Sequence, residues 1–154
     1  MPGNYDYTVT SAKTTLSASA TKTMVLLAPG TPGLRLTELG VSFDGSTTGT
    51  GVQVDLYRVA TLGSPAGTTT TPAKLTDDNA PAATATALTA LSAEPTSVTI
   101  LRSWLVSPFG GLLAMQEVLD REVGAITSGA RIGLRCLTAA GVTPGCIAYL
   151  GFAE

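Results

Sequence analysis

The sequence predicts an all-β fold, a two-sheet β-sandwich or jelly roll with about eight strands. Three observations lead to this prediction. Short runs rich in Thr and Val alternate with Gly- and Pro-containing turns about every ten positions, as in sandwiches and barrels. Helix signals are nearly absent. A phase change within one strand and a long central crossover favour a Greek-key or jelly-roll arrangement over a simple meander.

Size and composition indicate one domain with apolar surface to spare. The chain has 154 residues, of which 44% are hydrophobic and 13% charged, and its mean hydropathy is +0.31. A chain of this length buries about 70% of the surface that its unfolded form exposes, so a core forms without the help of disulfides or metal ions. We expect residues 1–20 to form an N-terminal arm or edge strand and residues 21–154 a single sandwich domain. The apolar excess predicts contact with another subunit.

Several partners are excluded by composition. The longest apolar runs, such as residues 24–28, fall far short of the roughly 20 residues that cross a bilayer, so we expect no membrane contact. The amino terminus lacks a secretory signal pattern, which predicts synthesis and assembly in a bacterial-type cytoplasm. The net charge is −2 and the basic residues are scattered, which argues against nucleic-acid binding.

The first half of the chain contains three strong strand patterns. Residues 23–28 form the first, which a Pro/Gly-rich turn ends. Residues 34–43 form the second, and their apolar positions change phase near Glu38, which predicts a β-bulge. Residues 52–57 alternate as a half-buried strand and are expected to form a hairpin with the second, across the turn at residues 44–51.

The middle of the chain combines a weak region with a strong one. Residues 62–94 are rich in Thr, Ala and Pro, and we expect them to hold one or two weak strands that pack over the sheet or against another chain; disorder is the alternative. Residues 98–106 carry large apolar side chains on both faces. They are therefore predicted to be a central strand, covered on both sides.

The last third of the chain predicts a strand and a terminal hairpin. Residues 112–123 fit either a strand followed by a loop or a short helix, and a strand is preferred. Residues 131–137 and 146–152 are predicted to pair across a turn at residues 139–145. In that register Cys136 and Cys146 would lie opposite each other, so a cross-strand disulfide is geometrically feasible, although free thiols acting as small apolar residues are favoured.

Catalytic chemistry has little support in this sequence, so we predict a protein that is not an enzyme and needs no cofactor or metal. There is no histidine to serve as a base or a metal ligand. Glu117, Asp120 and Glu122 form an acidic cluster, but a solvated edge explains them better than a glycosidase pair. Residues 77–79 indicate a turn rather than a calcium loop. Without histidine, only a lysine could serve as the base for a serine nucleophile, and the three lysines occur in polar segments: Lys13, Lys22 and Lys74.

Six residues are candidates for a protein interface. Arg131 and Arg135 share a face across Gly133, where they either pair with acids of a partner subunit or stay solvated. Trp104 and Phe109 would anchor an interface or stack on a sugar ring, although a core position is favoured for Trp104. The remaining two are in the opening segment: Tyr5 and Tyr7.

Several segments together resemble small jelly-roll structural proteins of tailed bacteriophages. The segments are LTELGVSFD at 36–44, VDLYR at 54–58, AEPT at 93–96, LRSW at 101–104, RIGLR at 131–135 and YLGF at 149–152. The resemblance implies a capsid decoration, or cement, protein, with a homotrimeric state and the major capsid protein as its partner. It places the protein on the surface of the virion. A tail or head-fibre component and a carbohydrate-binding module are the alternatives.

Overall fold

The computed structural model describes residues 5–46, 48–59, 65–75, 79–117, 123–125 and 129–154, and their regular structure is entirely β. Within these ranges, no helix is long and apolar enough to traverse a bilayer. The strands are β1 (Asp6–Thr10), β2 (Thr14–Thr15), β3 (Thr21–Ala28), β4 (Leu34–Phe43), β5 (Val52–Val59), β6 (Thr68–Thr70), β7 (Ala73–Lys74), β8 (Thr86–Thr89), β9 (Thr99–Val106), β10 (Leu112–Gln116), β11 (Gly124–Ala125), β12 (Arg131–Leu137) and β13 (Gly145–Ala153).

These strands form two antiparallel sheets with jelly-roll topology. Sheet A has the order β10-β4-β13-β1-β7, with β11 and β2 alongside, and sheet B has the order β6-β8-β3-β12-β5-β9. Eight strands have five residues or more, and numbered along the chain they run 6-3-8-1 in sheet A and 2-7-4-5 in sheet B. The first therefore pairs with the eighth, the second with the seventh, the third with the sixth and the fourth with the fifth. The predicted fold class is confirmed.

The predicted irregularity near Glu38 is a β-bulge in β4. Gly151 of β13 pairs with Glu38, but the next residue, Phe152, pairs with Leu36, so Thr37 is the extra residue. The bulge restores the alternation, because the apolar residues on either side of it all face the core between the sheets. The strand stays in one sheet over its whole length.

Both predicted hairpins are wrong. β4 and β5 lie in opposite sheets, and so do β12 and β13, because the chain crosses over the end of the sandwich at each connection. Alternation shows which side chains face inward, but it is the same for two strands in one sheet and for two strands that face each other across a core. The short turns are therefore consistent with either arrangement.

The described part of the 62–94 excursion packs on the sheets, as predicted. It holds three short strands, of which β8 extends sheet B beside β3, β6 follows β8, and β7 lies beside β1 in sheet A. Leu91 then reaches over the outer face of sheet B, where it forms a small second core with Leu26, Tyr57 and Val59. The inner face of sheet B thus packs on the main core, and this small second core covers part of its outer face.

The prediction that residues 98–106 form a central strand is wrong. β9 is the last strand of sheet B and pairs with β5 alone among the described strands. Its register shifts at Leu101, and this bulge leaves Ile100 and Leu105 on the outer face. The apolar residues on its second face are therefore exposed instead of covered. The following strand, β10, confirms the choice of strand over helix for residues 112–116; residues 118–122 lie outside the described ranges.

The opening segment folds into this chain's own sheet A. β1 lies between β13 and the two-residue β7, and the backbones of Tyr5 and Glu154 exchange hydrogen bonds just beyond it. Tyr7 and Val9 belong to the core, and the ring of Tyr7 stacks on Phe152 with the centroids 5.6 Å apart. The Tyr7 hydroxyl donates to the carbonyl of Pro81, 2.9 Å away. β1 is thus a structural part of the sandwich.

Candidate protein interface

One side of the sandwich ends in two strands that are joined directly in sequence. β9 is the last strand of sheet B and β10 the last strand of sheet A on this side, and residues 107–111 connect them. We call residues 99–116 the open edge. Within the described ranges, β9 has no strand partner on its outer side. Its outward backbone groups are therefore available for pairing with another chain.

Large exposed apolar side chains concentrate on this open edge. Among the described residues six large hydrophobic side chains are exposed, and four of them lie here: Ile100 (42%), Leu105 (76%), Phe109 (57%) and Leu112 (69%). A fifth, Ile147 on β13, lies level with Leu112 across sheet A, because both pair with Ser42. The sixth, Leu75, follows β7 at the opposite side of sheet A. Ile100 and Leu105 face outward from sheet B and Leu112 and Ile147 from sheet A, so exposed apolar side chains flank the open edge on both sides. Exposed apolar side chains beside an unpaired strand favour contact with another protein.

Glycines in the loop before β5 allow the apolar side chains to lie close to the backbone. A Cβ on Gly51 would come within 2.7 Å of Leu105 Cγ, so the leucine occupies the space above this glycine. Gly49 lies under Phe109, where an added Cβ would be 3.5 Å from the ring, an ordinary van der Waals contact. Leu105 and Phe109 are thus supported from below while most of their surface faces outward.

An ion pair ties the two strands of the open edge together. Arg102 on β9 donates a hydrogen bond to Glu117, which directly follows β10. The Glu117 side chain is almost completely buried, whereas Arg102 is partly exposed. Glu117 therefore has a structural partner, which differs from the solvated acidic edge that the sequence predicted. Asp120 and Glu122 lie outside the described ranges.

The outer face of sheet B holds a buried acid next to the open edge. Asp55 accepts hydrogen bonds from Ser103 (2.6 Å) and Gln53 (2.9 Å) at one carboxylate oxygen. Arg135 donates to the other oxygen from Nε (3.2 Å) and Nη2 (3.1 Å). The acid that pairs with Arg135 thus belongs to the same chain and not to a partner subunit, and it links β9, β5 and β12.

Tyr57 is sealed beside this acid. Its ring lies under the Arg135 guanidinium, 5.3 Å from centroid to Cζ, and over Gly133, where a Cβ would be 2.4 Å from Tyr57 Cζ. Its hydroxyl bonds to Thr23 Oγ1 at 2.8 Å, and Thr23 also bonds to Glu94. Burial is the main cause that raises the pKa of the Tyr57 phenol. Tyr57 therefore has no face free to stack on a sugar.

The six predicted interface residues have different surroundings. Phe109 is exposed, and Trp104 is half-buried with its ring packed on the core, so both belong to the open edge. Tyr5 is half-buried against the core and Arg131 is half-buried on the outer face of sheet B. The two that are held inside this chain are Tyr7 and Arg135. The other four are accessible, and their role in an interface stays a prediction.

Sequence reasoning missed three residues of the open edge: Ile100, Leu105 and Leu112. The signal is present, because residues 98–106 carry apolar side chains on both faces. That pattern predicts a strand covered on both sides by its own chain. An edge strand that is covered by a second chain has the same pattern.

No group of three or more His, Cys, Asp or Glu side chains that could hold a metal ion occurs among the described residues. Lys13 pairs with Asp44 at 2.5 Å, and Lys22 donates to the Leu91 carbonyl. A polar cavity of about 260 Å³ lies beside Lys22, lined among others by Thr14 and Glu94. Lys74 ends the short strand that pairs with β1, and of the predicted turn at 77–79 only Asn79 is described.

Comparison with known proteins gives little further information. No family model matches the chain, and no curated protein matches it. Among solved structures, the chain is similar to the crystal structure of infectious bursal disease virus VP2 subviral particle, with 13% identity and a TM-score of 0.27. The match covers 99% of this chain and 41% of the VP2 chain, so this chain spans less than half of the length of VP2. A similarity this weak does not bear on function.

Proposed function

We propose that this protein is a structural virion protein without catalytic activity. In this proposal it decorates and stabilises the outside of a tailed-bacteriophage capsid as a homo-oligomer, with a trimer favoured and the major capsid protein as its partner. The observation that carries the proposal is the open edge, on which apolar side chains and an unpaired strand occur together. The resemblance of the sequence to phage jelly-roll proteins supports the choice of partner.

The physical argument for assembly rests on what the open edge leaves exposed. Burying one large apolar side chain contributes about 1.5–3 kcal/mol relative to leaving it in water. Four such side chains on 13 consecutive positions, from Ile100 to Leu112, are therefore a substantial driving force for association. An exposed edge strand also invites pairing with other chains, so a protein that keeps one exposed in isolation is expected to cover it in its assembled state.

The jelly roll itself fits this function by analogy only. Viral capsid and lectin domains both use it, so the fold does not decide between them. The exposed side chains favour protein contact, because a sugar-binding platform needs accessible aromatic rings. The Tyr57 ring is sealed and Trp104 packs on the core, whereas Phe109 is open.

The proposed mechanism involves contact area and no covalent step. Copies of the protein bury their open edges in contacts with one another, and one end of the oligomer bridges neighbouring capsid subunits. If the protein binds the closed shell and not the opened one, it shifts the equilibrium between the two toward the closed shell, because a ligand stabilises the state to which it binds. Local opening of the capsid then requires the loss of these contacts.

Light scattering of the purified protein is the first test of this proposal. The chain mass is 15.6 kDa, so a trimer has three times this mass. We expect the double variant Leu105→Ser/Leu112→Ser to be a smaller species than the wild type. Leu75→Ser is the matched control, because it removes an exposed leucine from the opposite side of sheet A and is expected to keep the wild-type mass.

Co-sedimentation with expanded tailed-phage capsids that lack a decoration protein is the second test. An oligomer that pellets with the shells, and a double variant that stays in the supernatant, support the proposal. An oligomer that ignores the shells would point to a tail or fibre component. A monomer that is retained on a glycan column would point to a carbohydrate-binding module, and either result overturns capsid decoration.

A further inference from the structure

Two buried cysteines face each other across the interior of the sandwich. Cys136 is on β12 in sheet B, where it pairs with Lys22 and Val54, and Cys146 is on β13 in sheet A, where it pairs with Phe43. The sequence predicts that they are neighbours across a hairpin, and this prediction is wrong because the two strands lie in different sheets. Their Sγ atoms are nevertheless 3.8 Å apart, and both side chains are fully buried in the main core.

We propose that Cys136 and Cys146 form a disulfide that joins the two sheets when the protein folds in, or moves into, an oxidising medium. A disulfide has an S–S distance of about 2.05 Å, so the two sulfurs need to approach by roughly 1.8 Å. Disulfides between the two sheets of a β-sandwich are established in immunoglobulin domains. The two thiols are also the complete cysteine content of the chain, so no other intramolecular pairing competes.

The buried position determines when the bond forms. The hydrogen bond with Cys146 and burial both raise the pKa of the Cys136 thiol, so in the closed sandwich very little of the reactive thiolate is present. An external oxidant also has no access to either sulfur. The disulfide is therefore expected to form while the sandwich is still open, during folding or during transient opening, and to be enclosed when the sheets pack.

With oxidised glutathione as the oxidant, the reaction is a pair of thiol–disulfide exchanges. The Cys136 thiolate attacks one glutathione sulfur, the glutathione S–S bond breaks, and one glutathione leaves as a thiol. The Cys146 thiolate then attacks the Cys136 sulfur of the mixed disulfide and releases the second glutathione. The two cysteine thiols lose two electrons and two protons in total, and one glutathione disulfide becomes two glutathione thiols.

The bond would change what holds the sheets together. The two sheets meet mainly through side-chain packing, and the only covalent link between β12 and β13 is the connection over the end of the sandwich. A cross-link that closes this short loop restricts the unfolded chain. For a domain of this size the stabilisation corresponds to a rise in the melting temperature of about 5–10 °C.

Refolding in a glutathione buffer tests the proposal directly. The wild-type protein is unfolded, refolded with reduced and oxidised glutathione, then denatured with iodoacetamide and weighed by mass spectrometry. We expect a monomer that is lighter by two hydrogen atoms and takes up no alkyl group, with the higher melting temperature, and both properties should disappear after reduction. Cys136→Ala and Cys146→Ala are the controls, and each should take up one alkyl group and show no dependence of its melting temperature on the oxidant.

Three results would overturn the proposal: two alkylated thiols after oxidative refolding, stable glutathione adducts, or covalent dimers on a non-reducing gel. The comparison of oxidised with reduced wild-type protein is sufficient if an alanine variant does not fold. The result is also independent of the proposed virion function, because it does not depend on a partner.

Discussion

Arg135 donates two hydrogen bonds to a single carboxylate oxygen of Asp55, and the carboxylate is almost completely buried. Removing the cation leaves this acid with only two neutral donors. Because an unpaired buried charge is costly, we expect Arg135→Ala to lower the free energy of unfolding by about 3–5 kcal/mol. Urea denaturation measures this change.

The ion pair between Lys13 and Asp44 provides the control for that variant. Both side chains are about half exposed, so solvent and salt screen their attraction. We expect Lys13→Ala to leave the denaturation midpoint nearly unchanged. Equal losses in the two variants would contradict the importance of burial for the Asp55 pair.

Gly133 is required by the ring that lies on it. We expect Gly133→Ala to cost about 1–3 kcal/mol, because the new methyl group would overlap Tyr57, whose ring is fixed by Arg135 and Thr23. Gly49→Ala makes only an ordinary contact with Phe109 and should be close to neutral. Thermal unfolding of both variants distinguishes a specific overlap from a general effect of replacing glycine, which would affect them equally.

The first strand is expected to be essential for stability. Tyr7→Ala removes a buried ring that stacks on Phe152, and large-to-small changes of this kind cost about 3–5 kcal/mol. Tyr5→Ala removes a half-buried ring just outside β1 and should cost clearly less. Chemical denaturation of the two variants checks this order, and similar losses would show that β1 is less embedded than its contacts indicate.

Stability is expected to fall at alkaline pH, and Tyr57 is one cause. Burial raises the pKa of its phenol above that of the unfolded chain, so the folded state holds the proton more tightly. The contribution is fully present below about pH 10 and is lost as the pH rises above that value, with a slope of about 1.4 kcal/mol per pH unit for one proton. Melting curves from pH 8 to pH 11 should be less steeply pH-dependent for Tyr57→Phe. Tyr7 and Tyr149, whose phenol pKa values are also raised by burial, and the Cys136 thiol contribute to the remaining slope.

The inward-facing residues are readable from the sequence. Val52, Val54 and Leu56 alternate with polar residues and all lie in the core, and Ile132 and Leu134 do the same in β12. Period-two alternation reports burial directly, so the fold class and most strands are predictable. The bulge in β4 is also visible, because an extra residue changes the phase of the pattern.

The assignment of strands to sheets is not readable. Cys136 and Cys146 illustrate this, because a turn between two alternating strands gives the same pattern whether they pair in one sheet or face each other across the core. The same limit hides the open edge: Leu105 is apolar on a second face, and alternation does not tell whether this chain or another one covers it. Long-range pairing decides both questions, and a single sequence does not record it.

The nested strand pairing also has a consequence for folding kinetics. β13 lies between β4 and β1 in sheet A, and the three are far apart along the chain. On the ribosome, β1 and β4 are made long before β13, so both lack this central strand while the rest of the chain is synthesised. The β5–β9 pair has the closest partners in sequence among the four nested pairs and is expected to form first. Sheet A then closes last and slowly, because its pairing must bring together the most distant segments.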